Sequence, residues 1–359
     1  MAEYELYLTT PLGGRIATIT RFRSLLWSRR VNNIGWLSLS FGAEQYDRAW
    51  WGKDRRVEVW RVTGIAKLIR TYYLQRVYRV VDSQGREIVT WLAWDANGLL
   101  DGRIVDAYAG SPEATKTDYA DDISKAVVYE QLGAGAVAAR QVPGLTVQPD
   151  MSAAPSITRG FSRRNVLTVL QSIAESSATE GTRLYYDIVE PTTGALEFRT
   201  YINQRGTDRT TVVTPFSLLR GTLSPPVSLD VDHTDERNYA YTGGQGEGEE
   251  REIVEVSNAT AIAASAFARR EVFVDGRDSD STAALEARGN AQLWRMRTRR
   301  LFEAYLADVP RARYQVDWDF GDLVTAEYDA ELYDCVIEAV QGRASEDGET
   351  IEARLFHAG

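Results

Sequence analysis

Histidine and cysteine are the side chains that most often carry acid–base and nucleophilic chemistry near neutral pH. The chain has two histidines, His233 in a polar loop and His357 near the end, and one cysteine, Cys335. No His-Glu-x-x-His or His-x-His pattern of a zinc hydrolase occurs. Cys335 lies in a segment of alternating residues, which predicts a thiol packed into a sheet core rather than a nucleophile. A single cysteine also excludes an intrachain disulfide and a multi-thiolate metal site.

Two further segments resemble binding motifs only in part. The glycines between Gly243 and Gly248 could suggest a phosphate-binding loop, but no Gly-Lys-Ser/Thr ending and no helical pattern follows them, so we expect a turn. Asp275, Asp278 and Asp280 approach the spacing of a calcium loop without its central glycine and closing glutamate, so we expect a solvated loop before a helix. No catalytic residue, metal ligand or cofactor is therefore predicted.

Carboxylates and aromatic side chains leave other chemistry open. With 51 acidic residues some pair suited to glycoside hydrolysis always exists, and the sequence does not show its separation. The nine tryptophans and eighteen tyrosines, including Trp50-Trp51 and Tyr72-Tyr73, could stack on sugars, although aromatics also dominate sheet cores and subunit interfaces. We favour cores and interfaces. A hydrolase or a surface-binding module remains the alternative.

Composition indicates a folded protein of several modules. A chain of 359 residues with 44% hydrophobic and 26% charged residues is long enough for two to four modules and too apolar to be disordered. A net charge of −10 argues against nonspecific binding to duplex DNA. No apolar run of about eighteen residues and no signal peptide pattern is present, so we expect no stable membrane insertion and folding in a cytoplasm. Lysine occurs at only four positions, and the arginine excess suits multidentate pairs at interfaces.

The first hundred residues have the period-two pattern of half-buried strands, as in Leu37, Leu39 and Phe41. A barrel or sandwich would accommodate them. The further strands predicted there are Tyr4 to Thr9, Arg56 to Val62, Leu74 to Val81 and Glu87 to Trp94.

After Gly110-Ser-Pro112 the spacing becomes helical, from Tyr119 to Glu130 behind the acidic residues Asp118, Asp121 and Asp122. A second helix is predicted from about Ser162 to Ser177, followed by a hairpin of Leu184 to Glu190 and Ala195 to Tyr201. Helices and hairpin predict an α/β module inserted in the β region.

The last third combines a loop, a helix and a β unit. We predict a loop from Ser217 to Asp235, which contains Pro225-Pro226, and then a strand from Arg237 to Tyr241. A helix from about Thr282 to Arg299, capped by Ser281 or Thr282, has Leu285, Gly289, Leu293 and Met296 on one stripe. Four strands follow: Leu301 to Ala307, Asp322 to Glu327, Leu332 to Val340 and Glu349 to Phe356.

The C-terminal segments resemble a known family. The helix with Leu285-Glu-Ala-Arg-Gly-Asn-Ala-Gln-Leu293, then Phe320-Gly-Asp-Leu-Val-Thr-Ala-Glu327 and Gly348-Glu-Thr-Ile-Glu-Ala-Arg-Leu355, resemble the baseplate or tail-tip hub proteins of long-tailed bacteriophages. Further segments resemble hub-like proteins of actinobacterial siphophages: Thr20-Arg-Phe-Arg-Ser-Leu-Leu-Trp27, Asp118-Tyr-Ala-Asp-Asp122, Glu236-Arg-Asn-Tyr-Ala-Tyr241 and Phe267-Ala-Arg-Arg-Glu271. No catalytic residue carries over.

The resemblance implies an α+β, mostly β fold with two similar small β-barrel domains. The first barrel is expected at 1–112, completed by about 205–235, with the inserted α/β module at 113–204. A strand-loop-helix connector at 236–300 would lead into the second barrel at 301–359.

The resemblance also implies a structural role in the virion. We expect a homotrimer that forms a pseudo-sixfold ring at the tail tip, around the channel for DNA and the tape-measure protein. The other partners would be the distal tail protein, the tail tube and tip or receptor-binding proteins, with DNA only as passing cargo. Because the sequence stops soon after the last barrel strand, we expect any wall-degrading or host-binding activity to belong to another protein. The alternatives are a tail-associated cell-wall hydrolase, either glycosidase or peptidase, and a host-surface-binding module.

Overall fold

The computed structural model describes residues 3–106, 114–277 and 281–358. It confirms an α+β, mostly β fold. The strands are β1 (Glu3–Thr9), β2 (Arg15–Ile19), β3 (Ser24–Arg30), β4 (Trp36–Gly42), β5 (Arg56–Val62), β6 (Ala66–Val81), β7 (Glu87–Asp95), β8 (Ala114–Tyr119), β9 (Leu145–Val147), β10 (Ser156–Phe161), β11 (Leu184–Thr192), β12 (Ala195–Ile202), β13 (Phe216–Ser217), β14 (Leu223–Asp232), β15 (Tyr239–Gly243), β16 (Ile253–Ser257), β17 (Glu271–Asp275), β18 (Arg299–Ala307), β19 (Leu323–Tyr328), β20 (Glu331–Ser345) and β21 (Gly348–Ala358). The helices are α1 (Gly98–Asp101), α2 (Ala120–Gln131), α3 (Val166–Thr179), α4 (Ala259–Ala264) and α5 (Thr282–Arg295).

The chain divides into two compact units. The first unit comprises Met1–Ala178, Thr182–Val227 and Ala304–Phe356. The second comprises Thr179–Gly181, Ser228–Glu303 and His357–Gly359. The sequence boundary predicted at 112 and 113 lies outside the described residues, as do Asp278 and Asp280 of the predicted polar loop.

One large sheet dominates the first unit. Its strand order is β14-β18-β21-β20-β3-β4-β7-β6-β5-β1-β2, and β19 pairs with both β20 and β13. The antiparallel ladder between β20 and β3, with Gly342 opposite Trp27, joins strands from the end of the chain to strands from its beginning. Residues alternate between the faces of the sheet, so that Leu37, Leu39 and Phe41 on β4 are buried, as their spacing predicts.

The α/β module of the first unit has its own core. The helix α3 contributes Val166, Val169, Leu170 and Ile173 to this core, and the hairpin β11–β12 pairs in parallel with β9. The helix starts four residues later than the predicted Ser162, because β10 reaches Phe161 and the Asn165 side-chain oxygen accepts the Thr168 N–H at the start of the helix. The predicted hairpin is confirmed.

The second unit packs one helix on a three-stranded sheet. The central strand β15 pairs antiparallel with β16 and parallel with β17. Leu285, Gly289 and Leu293 of α5 are buried, as their spacing predicts, and the Ser281 hydroxyl accepts a hydrogen bond from the Ala284 N–H as the N-cap. No helix of the described residues is long and apolar enough to span a bilayer.

Two predictions for the last third are wrong. Residues 217–235 are not a continuous loop, because β14 occupies Leu223–Asp232. Pro225 and Pro226 lie in β14 at one end of the strand order, the edge position where a sheet accommodates proline. The helix predicted to reach Arg299 ends at Arg295, because Arg299 already begins β18, whose Phe302, Ala304 and Leu306 alternate into a core.

Candidate assembly site

The histidines and the cysteine are not arranged for catalysis. His233 is mostly exposed, with Nδ1 2.9 Å from the Thr298 hydroxyl oxygen, and His357 lies half-buried on β21. Cys335 is fully buried on β20, where its thiol donates to the Tyr333 carbonyl oxygen over 3.3 Å. Burial, with the Asp334 carboxylate adding to it, raises the pKa of this thiol to about 12. A thiol that stays protonated at neutral pH is a poor nucleophile.

The partial binding motifs form ordinary connections. The glycine-rich segment that starts at Gly243 turns back from β15 into the antiparallel β16, and the Gly244 N–H donates to the Glu252 carbonyl. Asp275 forms an ion pair with Arg251. Among the residues that the structure describes, no group of three histidine, cysteine or acidic side chains could hold a metal ion.

Aromatic side chains of the first unit lie mainly in its core. Phe41 and Trp91 meet edge to face at 4.9 Å between ring centroids, and Trp50 and Trp51 pack around them half-buried. Tyr72 is fully buried. These are the residues that the sequence singled out as a stacking platform, and packing occupies them instead.

A cluster of buried charges in the first unit joins the sheet to the α/β module. Arg70 on β6 forms two hydrogen bonds with Asp187 on β11, at 2.6 and 3.1 Å, and its Nε donates to Asp95 at 3.2 Å. Arg205, which follows β12, also forms an ion pair with Asp187. Two guanidinium groups therefore surround Asp187, which is buried.

The two carboxylates of this cluster titrate in opposite directions. Burial works to raise the pKa of Asp187, but Arg70 and Arg205 outweigh it and hold that pKa well below its ordinary range. Burial raises the pKa of Asp95 to about 6, since Arg70 opposes it only in part and the Asp187 charge adds to it. Below about pH 6 the positive charge of the cluster is therefore matched mainly by Asp187.

A second buried cluster joins the two ends of the chain. Arg61 on β5 donates to Glu349 on β21 at 2.9 and 2.8 Å and also forms an ion pair with Asp308. The Tyr4 hydroxyl on β1 donates to the same Glu349 carboxylate at 2.6 Å. The buried arginine pairs therefore fix the register of elements within one chain. Arginine pairs between copies remain a prediction.

The first unit leaves large apolar side chains in solvent. Tyr78, Val80 and Val81 are exposed near the end of β6, where Val81 keeps 65% of its surface. Leu219, before β14, is 97% exposed, and Leu332 on β20 is 66% exposed. Of these, Tyr78 and Val80 are next to each other on one face of β6, and adjoining exposed apolar side chains are candidates for contact with another protein.

The second unit presents an aromatic sheet face. Tyr239 and Tyr241 on β15 lie 5.1 Å apart between ring centroids, with Phe273 on the neighbouring β17. The guanidinium of Arg269 lies 3.9 Å from the Tyr239 ring centroid. Phe273 is 55% exposed. The helix α5 instead covers the residues that alternate with these, among them Ala240 and Thr242.

The sequence and the fold match known proteins over nearly their full length. A family model described as "Siphovirus ReqiPepy6 Gp37-like protein" matches residues 5–355. A search of curated proteins finds no significant match.

Among solved structures, the tail protein from Neisseria meningitidis MC58 is 16% identical with a TM-score of 0.57, covering 99% of this chain and 97% of that chain. The 43 kDa tail protein of prophage MuSo2 from Shewanella oneidensis is 12% identical with a TM-score of 0.61, and the match covers 99% of this chain and 98% of that chain. The prophage tail protein gp18 from Listeria monocytogenes EGD-e is 11% identical with a TM-score of 0.55, and the match covers 98% of this chain and 94% of that chain. At these identities the likeness shows a shared fold.

Proposed function

The chain belongs to the Siphovirus ReqiPepy6 Gp37-like protein family, and from this premise we propose that it is a structural hub protein of the virion tail. The observation that carries the proposal is the likeness to tail proteins over 99% of this chain and 98% of the MuSo2 protein. Sheet, α/β module and second unit all lie within that matched length. The protein acts by assembling with other tail proteins and not by catalysis.

Two strand groups within one chain support a ring of three copies. Strands β1 to β7 form one group, and β13, β14 and β18 to β21 form the other, joined by the β20–β3 ladder. We assign the first barrel to 1–112 with 205–235 and the second to 301–359, with the module at 113–204 and the connector at 236–300 between them. Three copies would place six such groups around one axis, which would let a threefold ring meet a sixfold tube.

Association would bury the apolar side chains that one chain leaves in solvent. Val81, Leu219 and Leu332 are each more than half exposed. Burying such side chains between copies would stabilise the assembly by about 25 cal/mol per Å² of apolar surface removed from water. Arginine–carboxylate pairs at the rim would fix the register, since the planar guanidinium matches a carboxylate with two hydrogen bonds.

The ring would surround a channel for DNA and the tape-measure protein. The net charge of −10 favours an acidic lumen, along which DNA moves as cargo without binding. The other partners would be the distal tail protein, the tail tube and tip or receptor-binding proteins.

The proposal is tested by the mass of the purified chain in solution. Light scattering across a concentration series is expected to give three times the mass of one chain. A monomer at all concentrations would contradict the trimer. A zymogram on bacterial cell walls tests the non-enzymatic role, with no clearing expected and clearing counting for a hydrolase.

A further inference from the structure

The end of β6 extends past its neighbour β5. The register between β5 and β6 ends with Arg56 opposite Tyr73, and the Leu74 N–H still donates to the Arg55 carbonyl. From there to Val81, β6 pairs with β7 on one side only among the described residues. We call residues 75–81 of β6 the arm; its second edge is open.

The open edge of the arm carries unpaired backbone donors. The Asp82 N–H donates to the Arg86 carbonyl, which makes Asp82 and Arg86 a hydrogen-bonded pair of the hairpin. Hydrogen-bonded and non-hydrogen-bonded pairs alternate along an antiparallel ladder, so the N–H groups of Val77, Arg79 and Val81 point away from β7. An exposed, apolar edge of this kind is a template for another strand.

The charges on the arm restrict what can pair with it. Arg76 and Arg79 are exposed. Arg79 Nε lies 3.3 Å from Glu87 Oε1 within the hairpin and both side chains keep 36% of their surface, while the Arg76 guanidinium lies 5.5 Å from the Tyr78 ring centroid. Two arms paired with each other would bring four arginines together with no carboxylate from either arm, which is unfavourable. A complementary strand must bring carboxylates.

Several free edges of the described residues carry carboxylates, but Glu255 on β16 and Glu271 on β17 accept from tyrosine hydroxyls, and Asp275 on β17 pairs with Arg251. The free edge β14 offers an exposed carboxylate to a second chain. β14 lies at one end of the strand order, with β18 as its neighbour among the described residues. Along it the apolar Leu229 and Val231 alternate with the acidic Asp230 and Asp232, and Asp230 is exposed. The Asp232 carboxylate accepts the Thr234 N–H at 2.8 Å, so Asp230 is the freer of the two.

The edge strand at the opposite end of the sheet brings no carboxylates. There the free edge is β2, whose only charged residue is Arg15. Arg15 lies over the Tyr7 ring at 3.6 Å, so this edge is basic like the arm. Charge therefore selects β14 over β2 as the complement of the arm.

We propose that the arm of one copy pairs edge to edge with β14 of the next copy, with Arg79 opposite Asp230. In this register the exposed Tyr78 and Val80 lie on the face of Leu229 and Val231. The contact joins two different surfaces, so repetition closes a ring instead of a dimer. The inference rests on the proposed trimer and names the contact that closes it.

A charge-swap experiment tests the pairing. Arg79→Glu and Asp230→Arg alone are each expected to raise the concentration at which half of the protein is trimeric by about tenfold or more. The double variant, Arg79→Glu with Asp230→Arg, again places a carboxylate opposite a guanidinium and so restores an attraction between opposite charges. Its concentration for half-trimerisation is expected to return toward that of the wild type. Matched controls make the same charge changes away from both edges, with Arg164→Glu in the segment between β10 and α3 and Asp347→Arg in the β20–β21 turn, and are expected to leave assembly unchanged.

A cysteine pair tests the same contact if a charge variant does not fold. Arg79→Cys with Asp230→Cys in one chain is expected to give covalent trimers on oxidation, while either cysteine alone gives none. The native Cys335 is buried and adds no background. Wild-type trimers that neither the swap nor the cysteines affect would overturn the pairing and leave the proposed function standing. A wild-type chain that never assembles would contradict the proposed function itself.

Discussion

Arg70 and Asp187 form a two-pronged ion pair across the first unit, with Nη2 2.6 Å from Oδ1 and Nη1 3.1 Å from Oδ2. The two residues lie on β6 and β11, so the pair fixes the α/β module on the sheet. Both are largely buried, and Arg205 adds a second positive charge. Their contribution is to position elements, because an unpaired buried charge is costly.

Replacing Asp187 by Asn is expected to destabilise the chain by about 3–5 kcal/mol, since it leaves two guanidinium groups without a full counter-charge. Urea unfolding followed by tryptophan fluorescence measures the change. The control is Arg86→Gln, which removes the 58%-exposed arginine of the Asp82 pair and is expected to cost within about 1 kcal/mol. Equal effects of the two substitutions would show that burial does not make the Asp187 pair important.

Asp95 is expected to make stability fall as pH rises. Burial raises its pKa from 3.8 to about 6 in the folded state. Between these values the folded chain binds more protons than the unfolded chain, so this group's contribution to the free energy of unfolding decreases by about 2 kcal/mol from pH 4 to pH 6.

The difference in unfolding free energy between wild type and Asp95→Asn isolates this contribution, because other carboxylates affect both proteins alike. The difference should shift in favour of the variant across this pH window. Asp187 does not interfere, since its pKa lies well below the window. A difference that stays constant from pH 4 to pH 6 would refute the raised pKa of Asp95.

Gly342 is expected to tolerate no larger residue. It lies opposite Trp27 in the β20–β3 ladder, and a Cβ there would collide with the indole ring. Trp27 is fully buried and stacks on Tyr314 at 5.8 Å between ring centroids. Overpacking of this kind typically costs about 1–3 kcal/mol, so Gly342→Ala should lower the thermal midpoint and change the tryptophan emission.

Gly102 supplies the matched control for that substitution. Its φ of −75° suits any residue, and the nearest atom to an added Cβ is the Leu99 carbonyl oxygen at 3.6 Å. Gly102→Ala should therefore leave the thermal midpoint close to that of the wild type. A Gly342→Ala protein as stable as this control would mean that Trp27 has room to move.

Local pattern predicts the elements whose contacts are regular. β5 runs from Arg56 to Val62 as predicted, and the α5 stripe of Leu285, Gly289 and Leu293 is buried as predicted. The predicted Leu74 to Val81 covers only the second half of β6, because register shifts at Val59/Trp60 and at Leu74/Arg76 change the phase of the alternation. The alternation of apolar and polar residues is therefore interrupted within β6, although the strand itself continues.

No sequence pattern predicted which charged residues would pair in the buried clusters. Arg70 and Asp187 are 117 residues apart, and neither has a neighbour that marks it as buried. Composition alone gave the arginine excess and predicted its use between subunits. Arg56, Arg61 and Arg70 each form a buried ion pair within the chain, and pairs between subunits stay a prediction. Only the tertiary fold brings such partners together.

We propose that each chain carries two alike β modules and that three copies close a ring around a channel. Electron cryo-microscopy of the purified protein would make both features visible. Threefold particles with six superposable modules around an open axis are expected. A stable single copy, or a ring whose two modules per chain cannot be superposed, would contradict it.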